Sequence, residues 1–196
     1  TDADNDTITL DGLVEINVEN DIPQAVVKPA PIVGEVLEDG LSLSTSDLSE
    51  GNEESGETNA DDEDSGSSIS TAPSNLSNLF DSGADEELTF GVSQDTAVLN
   101  SLDTFSSDGN PLYYLSDGTT LTANTKADGT GDTAFTLQVN SDGSWVFDLK
   151  DQLDHVDDGT DTENWKLVGS TAADGSIDFS SVITATDADL DTVTGA

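Results

Sequence analysis

Residues 135 to 149 read Phe135-Thr136-Leu137-Gln138-Val139, then Asn140-Ser141-Asp142-Gly143-Ser144, then Trp145-Val146-Phe147-Asp148-Leu149. Large apolar side chains recur at every second position on both sides of a short polar break, which is the period of a half-buried strand. The break carries Asp142-Gly143, a pair suited to the positive backbone angles of a tight hairpin turn. The stretch therefore predicts two antiparallel strands joined by that turn. Phe135, Leu137 and Val139 face Trp145, Phe147 and Leu149, and these six are the first candidates for a core.

Working outward, the same alternation of short apolar runs and acidic turns extends over the C-terminal part of the chain. The runs are Leu79-Phe80, 88–92, 111–115, 119–123, 134–139, 145–149, 165–168 and 177–183. Asp108-Gly109-Asn110, Asp117-Gly118, Asp128-Gly129, Asp142-Gly143 and Asp174-Gly175 stand between them. Strands of this length at this spacing predict an all-β sandwich, and no segment shows a helical period. Toward the N-terminus, Ile8 and Leu10 and then Val14, Ile16 and Val18 alternate with polar neighbours, with Asp11-Gly12 between them as a hairpin turn or a bulge. Pro23, after Glu19-Asn20-Asp21-Ile22, cannot donate to a ladder and marks a module boundary. Residues 24–36, with Pro29 and Pro31, suit an edge strand or an extended linker, and Glu38-Asp39-Gly40 adds a further acidic turn.

Between 45 and 75 the chain is Ser, Glu, Asp, Asn and Gly with almost no large apolar side chain. Such a segment cannot bury enough surface to offset its ordering entropy, so it is read as a flexible acidic loop or a point where insertions are tolerated. Deleting Gly51 to Ser70 is expected to leave the melting temperature nearly unchanged. The resulting division is 1–22, the last strand of a preceding-type repeat with its junction, and 23–196, a β-sandwich module containing the loop.

Forty-two acidic residues stand against four basic ones (Lys28, Lys126, Lys150 and Lys166), for a formal charge of -38. Phosphate binding rests on Lys and Arg, so nucleic acid is excluded as a natural partner. The same field disfavours an anionic membrane and strains any compact state. At 33% hydrophobic residues the chain is poorer in apolar groups than the globular norm of about 45 to 50%, so a core exists but not along the whole length. Without cysteine there is neither a disulfide framework nor a thiolate metal site. No apolar run approaches the roughly 18 residues of a membrane span, and no signal peptide opens the sequence.

What can hold so acidic a chain together is suggested by Thr1-Asp2-Ala3-Asp4-Asn5-Asp6-Thr7, which returns as Thr186-Asp187-Ala188-Asp189-Leu190-Asp191-Thr192, identical except for Asn5 and Leu190. Recurrence at both ends is the mark of a tandem array, and the chain is expected to be one unit of it. Each copy sets three carboxylates two residues apart. Such groups repel one another unless a cation sits among them, and hard oxygens in these numbers suit Ca²⁺, which takes six to eight at about 2.3 to 2.6 Å. The alternative is a solvated acidic turn. An EF-hand is rejected, because Thr7 stands where that loop needs Gly and Leu13 where it needs Glu. The candidate ligands are thus Asp2, Asp4 and Asp6, and Asp187, Asp189 and Asp191. Further oxygens are expected from Glu19 and Asp21 at the boundary, Glu38 and Asp39 in the turn, or Asp81 and Asp85, although each of these is equally readable as an ordinary solvated acid.

The run DTAFTLQVNSDGSWVFDLKDQLDH (132–155), followed by VITATDADLDTVTGA (182–196), resembles the long β-sandwich repeat of giant type I-secreted RTX adhesins of Gram-negative bacteria. In that family an F-T-L-x-V-N-x-D-G-S-[WY]-x-F hairpin leads to an L-D-H element and then to A-T-D-A-D-G-D-T-V-T. Leu190 here replaces the usual Gly, and VENDIPQA (18–25) is similar to the junction between consecutive repeats. The resemblance covers 1–43 and 76–196. It implies an Ig-like or cadherin-like β-sandwich with calcium at its end loops, extracellular at the bacterial surface, serving as an extender that projects ligand-binding domains in cell adhesion and biofilm formation. Its implied partners are neighbouring repeats of the same chain, and the module is expected to be monomeric, without membrane insertion.

Enzyme readings find little support. His155 is the only histidine, and a structural loop contact accounts for it better than zinc or a catalytic triad. Trp145 lies in the strongest hairpin and reads as core rather than as a sugar platform. Paired carboxylates carry no information in a chain this acidic, and no G-x-S-x-G elbow is present. The second reading is a ligand-binding module of the same adhesin that meets a glycan, a peptide or a host surface through its loops.

Overall fold

The computed structural model describes residues 22–27, 32, 34, 36, 38, 68–70, 75–83, 87–157, 166–172 and 175–195. Within them the chain is predominantly β-strand, arranged in antiparallel sheets, with one single-turn α-helix and short 3-10 turns. The strands are β1 (Gln24–Ala25), β2 (Ser68–Ser70), β3 (Phe80–Asp81), β4 (Thr89–Val92), β5 (Ser106–Ser107), β6 (Asn110–Pro111), β7 (Tyr113–Ser116), β8 (Thr120–Asn124), β9 (Thr133–Val139), β10 (Trp145–Leu149), β11 (Ile183–Thr186) and β12 (Thr192–Thr194). The larger sheet runs β2-β10-β9-β8-β7 and the smaller β12-β11-β4, while β1 pairs with β3 and β5 with β6.

The expected hairpin is β9–β10. Its register pairs Val139 with Trp145, Leu137 with Phe147 and Phe135 with Leu149. All six are buried, as the period of two requires, and Trp145 is a core residue. The same face continues into β8 with Leu121 and Ala123. Phe90, Val92, Ile183 and Ala185 from the smaller sheet join the same hydrophobic cluster, so both sheets are covered by one core. Phe179, on the approach to β11, packs its ring on Phe135 and Phe147 with centroids 5.8 Å apart in both pairs, within the range of favourable aromatic contacts. Tyr114 lies beside this cluster and donates its hydroxyl to the Asp103 carbonyl at 2.6 Å. Burial, ahead of any neighbouring charge, holds that hydroxyl protonated above the usual tyrosine range.

Turns of the larger sheet dock on β4 of the smaller one. The Phe90 amide donates to the Ser141 carbonyl at 3.1 Å, and the Val92 amide to the Gly118 carbonyl at 2.9 Å. Gly143 is buried in this junction at φ 80°, and a Cβ there would strike Asn75 and come within 3.1 Å of the Phe90 ring. Glycine is needed on both counts, conformation and space.

Several expectations change. Ser68–Ser70, inside the stretch read as a loop, forms β2 and pairs with β10, so a deletion running to Ser70 removes an edge strand. The run 177–183 does not form one strand: Ser180–Val182 is a 3-10 turn and the strand begins at Ile183. Of 165–168, Leu167 makes an isolated bridge to His155. The helix, Thr96–Leu99, is one turn capped by Asp95, whose carboxylate accepts from the Ala97 amide at 2.7 Å. A single turn is too short to show a helical period.

Candidate metal centre

Strands β11 and β12 are joined by Asp187-Ala188-Asp189-Leu190-Asp191. The flanking threonines fix the mouth of this turn. Thr186 pairs with Thr192 across the ladder, their hydroxyls lie 2.8 Å apart, and Thr89 on β4 donates its hydroxyl to the Thr186 carbonyl at 3.2 Å. Inside the turn the Asp187 amide donates to the Asp191 carbonyl at 3.1 Å, and the Leu190 amide to the Asp187 carbonyl at 3.3 Å. Closing so tight a loop requires a residue in the left-handed region, and Leu190 fills that position at φ 78°. A leucine there is strained where glycine would not be, and its side chain, 80% exposed, recovers nothing by packing.

The turn gathers Asp187, Asp189 and Asp191 so that one carboxylate oxygen of each lies within 4.8 Å of the others. Oxygens around an ion held at 2.3 to 2.6 Å are separated by at most about 5 Å, so the spacing fits a hard divalent cation. Left without one, such charges repel by roughly 1 to 4 kcal/mol per pair between the bulk-water and protein-surface limits. Asp187 is only 3% exposed. Its Oδ1 accepts from the Asp191 amide at 2.9 Å, but Oδ2 is sealed from solvent with no hydrogen-bond partner among the described residues. A buried carboxylate oxygen left unsatisfied is expensive, and a metal ion is the partner its chemistry suits best. The residues present therefore fit a hard metal cation.

The other predicted ligands do not join this group among the described residues. Glu38 is engaged elsewhere, where its Oε1 accepts from the Leu153 amide at 2.7 Å and its Oε2 faces His155 Nε2 at 3.2 Å. That contact ties the N-terminal segment to the Leu153-Asp154-His155 element, and His155 is placed as a loop contact. Asp81 caps its own turn by accepting from the Gly83 amide at 3.1 Å. Asp2, Asp4, Asp6, Glu19, Asp21, Asp39 and Asp85 lie outside the described residues. Ile22 and Pro23 enter β1, which packs beside β12, so the described end of the predicted junction, Gln24–Ala25, neighbours the strand leaving the triplet.

A second set of aspartates behaves differently. Asp117, Asp128 and Asp142 each precede a glycine at positive φ and a Thr or Ser. Each carboxylate accepts from both the amide and the hydroxyl of that third residue: Thr119 at 2.9 and 2.9 Å, Thr130 at 3.0 and 2.8 Å, and Ser144 at 2.9 and 2.6 Å. These donors hold all three carboxyls below the usual aspartate range: the Thr119 and Thr130 amides are the leading cause at Asp117 and Asp128, the Ser144 hydroxyl at Asp142. The repeated D-G-[ST] pattern is a sequence signal for self-capped turns, which the Asp-Gly pairs alone do not separate from ligand sites. Comparison of the chain with protein-family models, curated proteins and solved structures finds no match.

Proposed function

We propose that the chain is a calcium-stabilised structural extender: an Ig-like β-sandwich repeat of a type I-secreted RTX surface adhesin, acting outside the cell and joined to neighbouring repeats. The observation that carries this reading is the buried Asp187 oxygen, without a partner among the described residues and set in a triplet of carboxylates at the end of a strand. Asp187, Asp189 and Asp191 would hold the ion, which would supply charge neutralisation and fix the β11–β12 turn.

The charge of -38 gives the ion a second role. Self-repulsion opposes compaction, so a chain kept extended where calcium is scarce can fold where it is plentiful. A ligand bound only by the folded state adds RT ln(1 + [L]/Kd), about 2.7 kcal/mol per site when it stands one hundredfold above its dissociation constant. That is a large fraction of the roughly 5 to 15 kcal/mol by which domains are normally stable.

The test is a melting curve of the chain with calcium and then with a chelator, repeated for Asp187→Asn combined with Asp189→Asn. Calcium should raise the melting temperature of the parent and leave the double variant unmoved. A parent that melts identically in calcium and chelator would refute the proposal.

A further inference from the structure

We infer that Asp108-Gly109 is a site of spontaneous covalent modification, at which aspartate converts to isoaspartate with help from the Asp154 carboxylate. The two residues form the complete turn of the β5–β6 hairpin, between Ser107 and Asn110, which pair across the ladder. Both are in the left-handed region, Asp108 at φ 52° and Gly109 at φ 75°, the geometry that a two-residue hairpin of this kind demands. The turn is exposed, and apart from its chain neighbours no described residue comes within 4 Å of the place a Gly109 Cβ would occupy.

Chemistry at such a pair needs the glycine nitrogen as nucleophile and the aspartate Cγ as electrophile. The Gly109 amide donates to Asp154 Oδ2 at 3.0 Å, within the reach of a general base. Asp154 is held in place by its own backbone, its amide bonded to the Ser106 carbonyl at 2.8 Å and its carbonyl receiving the Val168 amide at 2.7 Å. It belongs to the Leu153-Asp154-His155 element, and the proposed metal site makes no use of it. In the reaction Asp154 takes the Gly109 proton as the nitrogen attacks Cγ of the protonated Asp108 carboxyl. The Cγ–O bond breaks, and the leaving oxygen departs as water once the proton is returned. The product is a five-membered succinimide. Water then adds to either carbonyl, and opening at the former main-chain carbonyl leaves the chain running through the side chain, with no net change in composition.

Neighbouring Asp-Gly pairs show why this one is singled out. Asp117, Asp128 and Asp142 have their carboxylates fastened to the amide and hydroxyl two residues on. Those bonds restrict the rotation that cyclisation needs and favour the unreactive anion. The Asp108 carboxyl makes no hydrogen bond among the described residues and is free to turn.

The experiment is incubation of the intact chain with calcium in mildly acidic to neutral buffer, labelling by an isoaspartyl methyltransferase and peptide mapping over time. Label should accumulate at Asp108 about tenfold faster than at Asp117, Asp128 or Asp142, equivalent to about 1.4 kcal/mol in barrier. Asp154→Asn, whose side-chain oxygen still accepts the Gly109 amide but is no base, should slow labelling at Asp108 while the circular dichroism spectrum is unchanged. Thr130→Ala, which releases one bond on Asp128, should raise labelling there. Equal labelling at the capped turns, or an Asp154→Asn variant that labels as fast as the parent, would overturn the inference.

Discussion

The turn Asn140–Ser144 and the turn Asp187–Asp191 both connect neighbouring antiparallel strands, and both are acidic, yet they are completed by opposite means. In the first, Asp142 is exposed and finds its donors in Ser144, while Gly143 supplies the positive φ and the close fit against Phe90. In the second, Asp187 is buried, one of its oxygens has no partner among the described residues, and Leu190 carries the positive φ. The first turn is finished by its own atoms. The second also uses one Asp187 oxygen to hold the Asp191 amide, but its other oxygen stays buried without a partner among the described residues, in a triplet that could hold a metal ion.

The contrast can be broken at either end. The largest effect is expected at Gly143, where Ala adds left-handed strain and a clash with Asn75 and Phe90; Gly143→Ala should lose about 2 to 4 kcal/mol in denaturant unfolding, equally with calcium or chelator. Next, Asp187→Asn should lose about 2.7 kcal/mol when calcium is one hundredfold above its dissociation constant. In chelator the same variant should match or exceed the parent, because the unpaired buried charge is gone. A loss that persists in chelator would mean that Asp187 is structural in its own right. Smaller and opposite in sign, Leu190→Gly should gain about 0.5 to 1 kcal/mol, the relief of left-handed strain less the backbone entropy of glycine, measurable as a shift in urea midpoint. The mildest perturbation is acid. Because the folded-state pKa values of Asp117, Asp128 and Asp142 are depressed, their contribution is complete above the unfolded value near about 3.9 and disappears as pH falls through the folded values. Carboxyl resonances followed by NMR should show these three titrating below the ordinary range, and a normal midpoint at Asp142 would remove the basis for calling that turn self-capped.

Much of this fold is legible in the amino-acid sequence. The β9–β10 register follows from alternation, which fixes the buried face and excludes a one-residue slip, together with the short turn that joins the two strands. Gly109, Gly118, Gly129, Gly143 and Gly175 all take positive φ, as their Asp-Gly pairs suggest. The triplet at Asp187 is visible as a pattern, but the burial that gives it meaning is not. Burial is a tertiary property, and the strand that leads into this turn, β11, takes its place by pairing with β4, far away in the chain. β2 is hidden because Ser68-Ile69-Ser70 has one apolar residue and gains its place from a partner, β10, rather than from its own composition. The segment 177–183 misleads in the other direction: Ile177, Phe179, Val182 and Ile183 are apolar because they cover the core, and Ser180–Val182 does so as a turn.

The two fastenings at Glu38 and at Ser68–Ser70 also set what the region between them can accommodate. Glu38 is pinned to Leu153 and β2 to β10, so each end of the intervening stretch is secured to the body independently of what lies between. Once both anchors hold, the chain-closure penalty grows only as the logarithm of length, about 0.6 kcal/mol for each doubling. Chain added between these two anchors would therefore raise the closure term only slowly, and a lengthened variant should show that small cost as a correspondingly small shift in urea midpoint.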